Sequence, residues 1–396
     1  MVTLEMIQEA KKNLEGVARV TPLFSAPKIG ENIYIKAENL QLTGSFKLRG
    51  AYNKISSLTP EEKQKGVIAC SAGNHAQGVA LSATKNNIRS TICIPAGAPL
   101  SKVEATRGFG GNVVLVPGVY DDAYAKAVEL TQAQGYTFVH PFNDEKVIAG
   151  QGTIGLEILE QEPHIDAVFV AIGGGGLASG VACAIKSVKP DCKVYGVQAA
   201  GAPSMYDSIN KGEIIELESV STIADGIAVK KPGDLTFEMC KKYLDGVVTV
   251  TEDEIATAIL VLMEGQKTVA EGAGAASVAA AIFNKVPELK GKKIACVISG
   301  GNIDVSILSR VITKGLTKTG RITEITTKVV DKPGQLINLL QVISKTGANI
   351  ITIDHQREAK ESEVNSCVVS MVLETRNLEH SHDICTALEQ NGYEII

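Results

Sequence analysis

The chain has 396 residues, too many for one ordinary hydrophobic core, so two or three domains are expected. A hydrophobic content of 44% beside 21% charged residues is typical of a globular chain and excludes a disordered one. The formal net charge is −5, with both signs spread along the chain. No basic stripe is present, so we expect no nucleic-acid partner.

Three further features bear on the compartment. The first five residues lack the apolar core of a signal peptide. Segment 167–185 is uncharged and long enough for a bilayer, but four consecutive glycines in its middle favour a buried strand, a loop and a helix. The eight cysteines are scattered without a Cys-x-x-Cys pair, which argues against zinc and disulfides. We therefore expect a cytoplasmic protein with no membrane partner and no metal site.

The first three quarters of the chain alternate strand-like and helix-like segments. A helix is predicted over 4–14, and further helices over 48–55, 121–134 and 252–269. Apolar runs predict strands at 33–36, 67–70, 90–94, 112–116, 167–172, 193–197, 247–250 and 293–298. This alternation predicts an α/β architecture with parallel sheets covered by helices.

The pattern changes near residue 310. Segment 311–321 is polar, basic and twice interrupted by glycine, so we interpret it as a linker. Strands are then predicted at 322–330, 348–357, 363–374 and the C-terminus, with helices over 335–346 and 379–390. This βαββαβ order is typical of a ferredoxin-like module over 322–396.

Lys47 is the main candidate for chemistry. It lies between Phe46 and Leu48 at the start of a predicted helix. A lysine held among apolar groups loses hydration, and its neutral amine can form a Schiff base with a carbonyl cofactor.

Three loops follow predicted strands, where ligands bind in open α/β sheets. The first contains Ser71, Ala72, Gly73, Asn74 and His75, and small residues at a helix start suit a carboxylate. The second contains Gly173, Gly174, Gly175 and Gly176, which predict a phosphate cradle. The third begins at Ser299.

The glycine loop also satisfies the G-x-G-x-x-G/A pattern of dinucleotide-binding proteins, which is a weak signal alone. That pattern expects an acidic residue at the end of the next strand, to hold ribose hydroxyls. The chain has the neutral Gln198 there. A smaller phosphorylated cofactor is favoured.

The motifs SFKLRG, SAGNHAQG, GGGGL, EGAGA and SGGNID, in this order, resemble those of the threonine/serine dehydratases. These are fold type II pyridoxal-phosphate enzymes, related to the β subunit of tryptophan synthase. The likeness covers about residues 1–310 and implies a catalytic domain there, with a small subdomain at about 45–143 inserted in a large one. The tail, with its Asp-Lys-Pro-Gly turn at 331–334, resembles an ACT domain.

The resemblance implies roles for individual residues. Lys47 is expected to bond the cofactor pyridoxal 5'-phosphate, with Phe46 against one face of its ring. Asn74 is expected at the phenolic oxygen, the four glycines at the phosphate and Ser299 at the pyridine nitrogen. The loop from Ser71 to His75 should receive the substrate carboxylate.

Simpler roles compete with these. Asn74 could cap the following helix, and Ser299 could be a turn residue. His75 could act as a base, but beside Lys47 a structural role is favoured. The ACT module could serve only for oligomerisation.

The implied activity is elimination of water from L-threonine, giving 2-oxobutanoate and ammonia, with L-serine to pyruvate as a secondary activity. A racemase on the same scaffold is the nearest alternative, but serine racemases carry serine where this chain has Ala72, which has no proton to give. The segment 198–204 has no carboxylate for the divalent cation of such racemases, while a monovalent ion stays possible. A non-catalytic amino-acid sensor is the alternative from another class.

The resemblance of residues 322–396 to an ACT domain implies that an amino acid regulates the enzyme. Pro333 and Gly334, with Asn349 and Ile350 at the start of the next strand, are the expected sites for an amino-acid effector between paired copies. Isoleucine, valine or a related amino acid is expected, and the family resemblance implies a homotetramer.

Overall fold

The computed structural model describes residues 1–357 and 364–396. The chain divides into two units, Met1–Asp304 and Val305–Ile396. Within the described residues, no helix combines the length and the apolar character needed to cross a membrane.

The first unit contains two sheets. Its strands are β1 Leu23–Ser25, β2 Ile33–Ala37, β3 Val67–Cys70, β4 Ser90–Pro95, β5 Asn112–Val116, β6 Thr137–Phe138, β7 Ala167–Ala171, β8 Lys193–Ala199, β9 Gly246–Val250 and β10 Ile294–Ile298. The larger sheet has the order β1-β2-β10-β7-β8-β9, and the smaller has β5-β4-β3-β6. All neighbours are parallel except β1 and β2.

Helices cover both sheets. They are α1 Leu4–Asn13, α2 Lys47–Ser56, α3 Pro60–Lys65, α4 Asn74–Lys85, α5 Leu100–Gly108, α6 Tyr120–Gln134, α7 Glu145–Gln161, α8 Gly176–Val188, α9 Ser204–Lys211, α10 Asp234–Tyr243, α11 Glu252–Gln266 and α12 Gly272–Ile282. Three short 3-10 helices lie at Glu38–Leu40, Asp225–Ile227 and Pro287–Leu289. The central strands β7 and β10 are buried along their whole length, which explains their unbroken apolar sequences. The predicted architecture of two parallel α/β subdomains is confirmed.

The four strands of the smaller sheet all lie within 45–143, while those of the larger sheet come from before and after it. Several hydrophobic clusters fill the space around the sheets, and two of the larger ones belong to different sheets. One includes Val168, Val170 and Leu177 of the larger sheet and its helices. The other includes Ala69, Val79 and Ile92 of the smaller. The carboxyl ends of strands from both sheets are therefore available to one site.

The second unit has the ferredoxin-like order. It contains α13 Val305–Lys318, β11 Ile322–Val330, α14 Gln335–Thr346, β12 Asn349–Gln356, β13 Ser366–Glu374, α15 Leu378–Gln390 and β14 Glu394–Ile395. The antiparallel sheet has the order β12-β13-β11-β14. The predicted βαββαβ fold is confirmed, although Glu363, the predicted start of its third strand, lies outside the described residues.

The predicted linker at 311–321 is wrong for most of its length, since α13 continues to Lys318. Leu308, Val311 and Leu316 fall on one stripe of this helix, which outweighs the polar residues between them. Helix α13 contacts β11, so the second unit begins earlier than the predicted boundary near residue 310.

Candidate active site

The end of strand β10 holds the lysine segment in place. The amide of Phe46 donates to the carbonyl oxygen of Ser299 at 3.0 Å. Ser45 and Gly300 form an antiparallel bridge beside this bond. Lys47 is the first residue of α2, directly after these contacts. Two predicted site segments, far apart in the sequence, are thus joined by backbone hydrogen bonds.

The partners of the Lys47 amine stabilise a positive charge only weakly. Its Nζ donates to the Pro141 carbonyl oxygen at 2.8 Å and lies 5.3 Å from the centroid of the Phe46 ring. Burial lowers the pKa of Lys47 to about 8, against an opposing effect of Glu271. At neutral pH about a tenth of such amines are unprotonated, which suits a nucleophile and base.

The glycine loop connects β7 to α8. Gly175 has φ +98°, a conformation that favours glycine, and a Cβ on Gly174 would lie 2.4 Å from the Phe142 ring. Within the described ranges, the amides of 173–177 donate to no protein acceptor. Free amides at the start of a buried helix form an anion site, so this loop fits a phosphate group.

The segment after β6 joins the lysine to the glycine loop. Pro141 accepts from Lys47, and the neighbouring Phe142 ring packs against the glycines. The Nδ1 atom of His140 accepts from the amides of Phe142 and Asn143, at 3.2 and 2.8 Å. Burial lowers the pKa of His140 to about 4, so the ring stays neutral and keeps both bonds. Sequence motifs did not reveal this segment.

Asn74 lies in a polar network rather than at a helix cap. Gly73 takes the cap position of α4, so the capping role considered for Asn74 is wrong. Its side-chain nitrogen donates to Glu271 Oε1 at 2.7 Å, and its oxygen accepts from Asn302 at 2.7 Å. Burial raises the pKa of Glu271 to about 7, and Asp225 adds to this effect. Glu271 and Asn302 lie in the EGAGA and SGGNID motifs, but the sequence did not assign them a role.

The loop from Ser71 to His75 lies at the end of β3. Gly73 N donates to Ser71 Oγ at 3.1 Å. A Cβ on Gly73 would meet no atom of the described residues within 4 Å, so this backbone is open to a ligand. Ala72 packs beside the core of the smaller sheet. The His75 ring is buried with Nε2 2.8 Å from the Val139 carbonyl oxygen. Burial lowers the pKa of His75 to about 3, with Lys47 adding to the effect, as expected for a structural histidine.

The four residues predicted for regulation do not meet within one chain. Pro333 and Gly334 follow the carboxyl end of β11. Asn349 pairs with Glu374, which in turn pairs with Ile322 at the opposite end of β11. Asn349 and Ile350 are therefore at the far end of the sheet from the turn.

A desolvated amine, an aromatic ring beside it and a loop of amides that donate to no described protein acceptor define a Schiff-base enzyme with a phosphorylated carbonyl cofactor. The family model for pyridoxal-phosphate dependent enzymes matches residues 14–300. The chain belongs to this family, and its cofactor is pyridoxal 5'-phosphate.

Relatives extend the comparison. An L-threonine ammonia-lyase of Thermotoga maritima is 52% identical over 100% of this chain and 99% of its own. The structure of threonine deaminase isoform 2 from Solanum lycopersicum is 42% identical, with a TM-score of 0.75 over 78% of this chain and 88% of that one. A maize serine racemase structure is 35% identical, with a TM-score of 0.75 over 80% of this chain and 98% of that one.

Proposed function

We propose that this chain is an L-threonine ammonia-lyase, which eliminates water from L-threonine and then takes up water as ammonia is released, so that the products are 2-oxobutanoate and ammonia. The same site would convert L-serine to pyruvate more weakly. The observation that carries the proposal is the Lys47 amine, which is desolvated and pairs with no carboxylate of the described residues, beside a glycine loop of free amides. The likeness to the Thermotoga maritima L-threonine ammonia-lyase along the whole chain supports the substrate.

The cofactor would be held by residues already in place. Lys47 would bond its aldehyde, and Phe46 would cover one face of its ring. Gly173, Gly174, Gly175 and Gly176 would bind the phosphate through their amides. Asn74, fixed by Glu271 and Asn302, would donate to the phenolic oxygen.

The bound cofactor supplies an electron sink for the negative charge left when a proton leaves the substrate Cα. Lys47 Nζ would take that proton, since a pKa near 8 leaves it close to the pH of the reaction. Ser299 would face the pyridine nitrogen with a neutral hydroxyl, which weakens the sink and favours loss of the β-hydroxyl. Ser71, Ala72, Gly73, Asn74 and His75 would receive the substrate carboxylate.

A serine racemase is the alternative function, because the maize serine racemase structure is similar to this chain. Racemisation needs a second acid on the opposite face of the substrate. Ala72 stands where the racemases that this chain resembles carry a serine, and a methyl group gives no proton. This substitution favours elimination.

The test is to add L-threonine, and separately L-serine, to the holoenzyme and to measure 2-oxo acid and the chirality of the remaining amino acid. Rapid formation of 2-oxobutanoate with the remaining threonine still L is expected. Accumulation of D-amino acid with little oxo acid would establish a racemase. Absence of both products would turn attention to an amino-acid sensor.

We also propose that the first unit, residues 1–304, is the catalytic domain with a small subdomain at about 45–143, and that residues 322–396 of the second unit form a regulatory ACT domain. Pro333 and Gly334 lie at the other end of the sheet from Asn349 and Ile350, so an effector that uses all four needs two chains. This supports a homo-oligomer, and we propose a homotetramer. Since all eight cysteines are free thiols, we propose a cytoplasmic location.

L-Isoleucine and L-valine are the effectors to test first. Activity and molecular mass would be measured with and without each amino acid. A change in KM or kcat at constant mass would support regulation. A stable oligomer that responds to neither, nor to other amino acids, would leave the module a role in assembly only.

A further inference from the structure

Three side chains of different chemistry converge at one end of the second unit's sheet. Asp331 directly follows β11, His355 lies on β12 and Cys367 on β13. Cys367 pairs with Val329 and His355 with Val369, so the register places all three at the same end. His355 Nε2 is 3.0 Å from Cys367 Sγ, and the three donor atoms lie within 4.8 Å of one another.

This donor set matches the requirements of a transition metal. Zn²⁺ takes sulfur, imidazole nitrogen and carboxylate oxygen at about 2.0 to 2.3 Å in a tetrahedral arrangement. Donors around such an ion are separated by about 3 to 4 Å, which requires only small side-chain movements here. Softer sulfur and nitrogen ligands favour Zn²⁺ and its neighbours over Mg²⁺ or Ca²⁺.

The burial of Cys367 and the exposure of Asp331 and His355 would allow the group to bind an ion from solution. Cys367 is buried in the module's core, so its sulfur is held in place. Asp331 and His355 are exposed, so an ion can reach the group, and a water could complete its coordination.

The present partners of the three groups are weak. Cys367 Sγ contacts the Val329 carbonyl oxygen at 3.3 Å. Asp331 Oδ2 lies 3.0 Å from Arg357 Nε, but the Arg357 side chain is 69% exposed. Exposed ion pairs contribute little, so an ion that binds Asp331 loses little by displacing it.

We propose that the second unit binds one Zn²⁺-type divalent metal ion through Asp331, His355 and Cys367. Binding converts the Cys367 thiol to a thiolate and releases its proton to solvent. The ion then ties the turn before α14 to strands β12 and β13. The three residues are far apart in the sequence and form no metal-binding motif, so the expectation of no metal site came from spacing alone.

Burial raises the pKa of the Cys367 thiol, and the nearby Asp331 carboxylate adds to this effect, while the Arg357 guanidinium opposes it. Because the metal competes with a proton for this sulfur, affinity should rise with pH.

The test uses Co²⁺ as a spectroscopic probe of the reduced, chelator-treated holoenzyme. The wild-type chain should bind one Co²⁺, with a thiolate-to-cobalt charge-transfer band and the visible bands of tetrahedral Co²⁺, and Zn²⁺ should displace it. Cys367→Ser should lose the charge-transfer band. His355→Gln and Asp331→Asn should each weaken binding at least tenfold, as expected for loss of a ligand.

Cys385→Ser and His382→Gln are matched controls, since both residues belong to the same unit and lie outside the cluster. Both should bind Co²⁺ like the wild type. His355 and Asp331 are exposed, so their variants should fold normally. These two variants would therefore still test metal binding if Cys367→Ser proved unstable. The proposal is overturned if the wild type gives no charge-transfer band, or if any one of the three ligand variants keeps the wild-type affinity.

Discussion

Two groups of charged side chains in the first unit differ in the partners that surround them. One is an ionic network of Lys36, Glu38, Arg49 and Glu157. The other is the candidate site, where Lys47 and Glu271 have mostly neutral partners. Both groups contain a lysine and a buried glutamate, and although Lys36 is fully buried and Lys47 partly buried, the main difference lies in their partners.

The glutamates show the contrast most clearly. Burial would raise the pKa of Glu38, but the Arg49 guanidinium outweighs it and holds the pKa below its usual range. Glu271 has the Asn74 amide in place of a guanidinium, and burial raises its pKa to about 7. Glu38 is thus fixed as an anion, while Glu271 can exchange a proton near neutral pH.

Burial lowers the pKa of both lysines, but their partners differ. Lys36 Nζ lies 2.5 Å from Glu157 Oε2 and 2.6 Å from the Thr21 carbonyl oxygen. Burial lowers the pKa of Lys36, but Glu157 and Glu38 oppose this. Lys47 has a backbone carbonyl as its hydrogen-bond partner. A buried cation with a direct carboxylate partner serves structure, whereas one without it is available for chemistry.

The network also positions the site. Arg49 is on α2, two residues after Lys47, and donates to Glu157 on α7 at 2.5 and 2.9 Å. Helix α2 is therefore anchored next to Lys47, the proposed catalytic lysine.

The largest expected effect is on activity. Lys47→Ala removes the side chain proposed as both the covalent attachment point and the base, so kcat should fall more than about a thousandfold. The measurement is the rate of 2-oxo acid formation from L-threonine. Normal turnover in this variant would contradict the assigned chemistry.

Lys36→Met should act on stability instead. Removing one member of a buried network leaves Glu157 partly uncompensated, which should lower the free energy of unfolding by about 3 kcal/mol. Urea unfolding measures this, and activity per folded molecule should be largely kept. Unchanged stability would mean that the network contributes nothing beyond its apolar volume.

Glu271→Gln should change the pH dependence of stability in the cofactor-free protein. The folded pKa of Glu271, about 7, lies above its usual 4.5. The native state therefore binds more protons than the unfolded state, and stability should fall by about 3 kcal/mol as pH rises from 4.5 to 7. The variant lacks this contribution, so the two pH profiles of urea unfolding should diverge. Parallel profiles would rule out the raised pKa.

Lys102→Gln should have the smallest effect. Lys102 Nζ lies 2.5 Å from Asp225 Oδ2, and the Asp225 side chain is 60% exposed. A pair in contact with water contributes at most about 1 kcal/mol, and salt should reduce it further. Urea unfolding at low and high salt tests this. A loss as large as that of Lys36→Met would erase the distinction between buried and exposed pairs.

Much of the fold follows from local sequence. Strands β3 and β11 and helix α14 have the predicted limits, because apolar periodicity and nearby turn residues are local properties. Helix α13 was missed because its glycine and polar residues hid a sparse apolar stripe.

The sequence by itself determined the two-unit architecture, the lysine at the start of α2 and the glycine loop after β7. Each of these features lies in one contiguous segment. The conformation and hydration of such a segment depend mainly on residues that are close in the sequence. Only the tertiary structure decided that Lys47 meets Pro141 and Lys36 meets Glu157, and that Asn74 binds Glu271 rather than capping its helix. These partners come from distant segments, and burial beside a particular partner is what decides whether a side chain holds its proton or exchanges it.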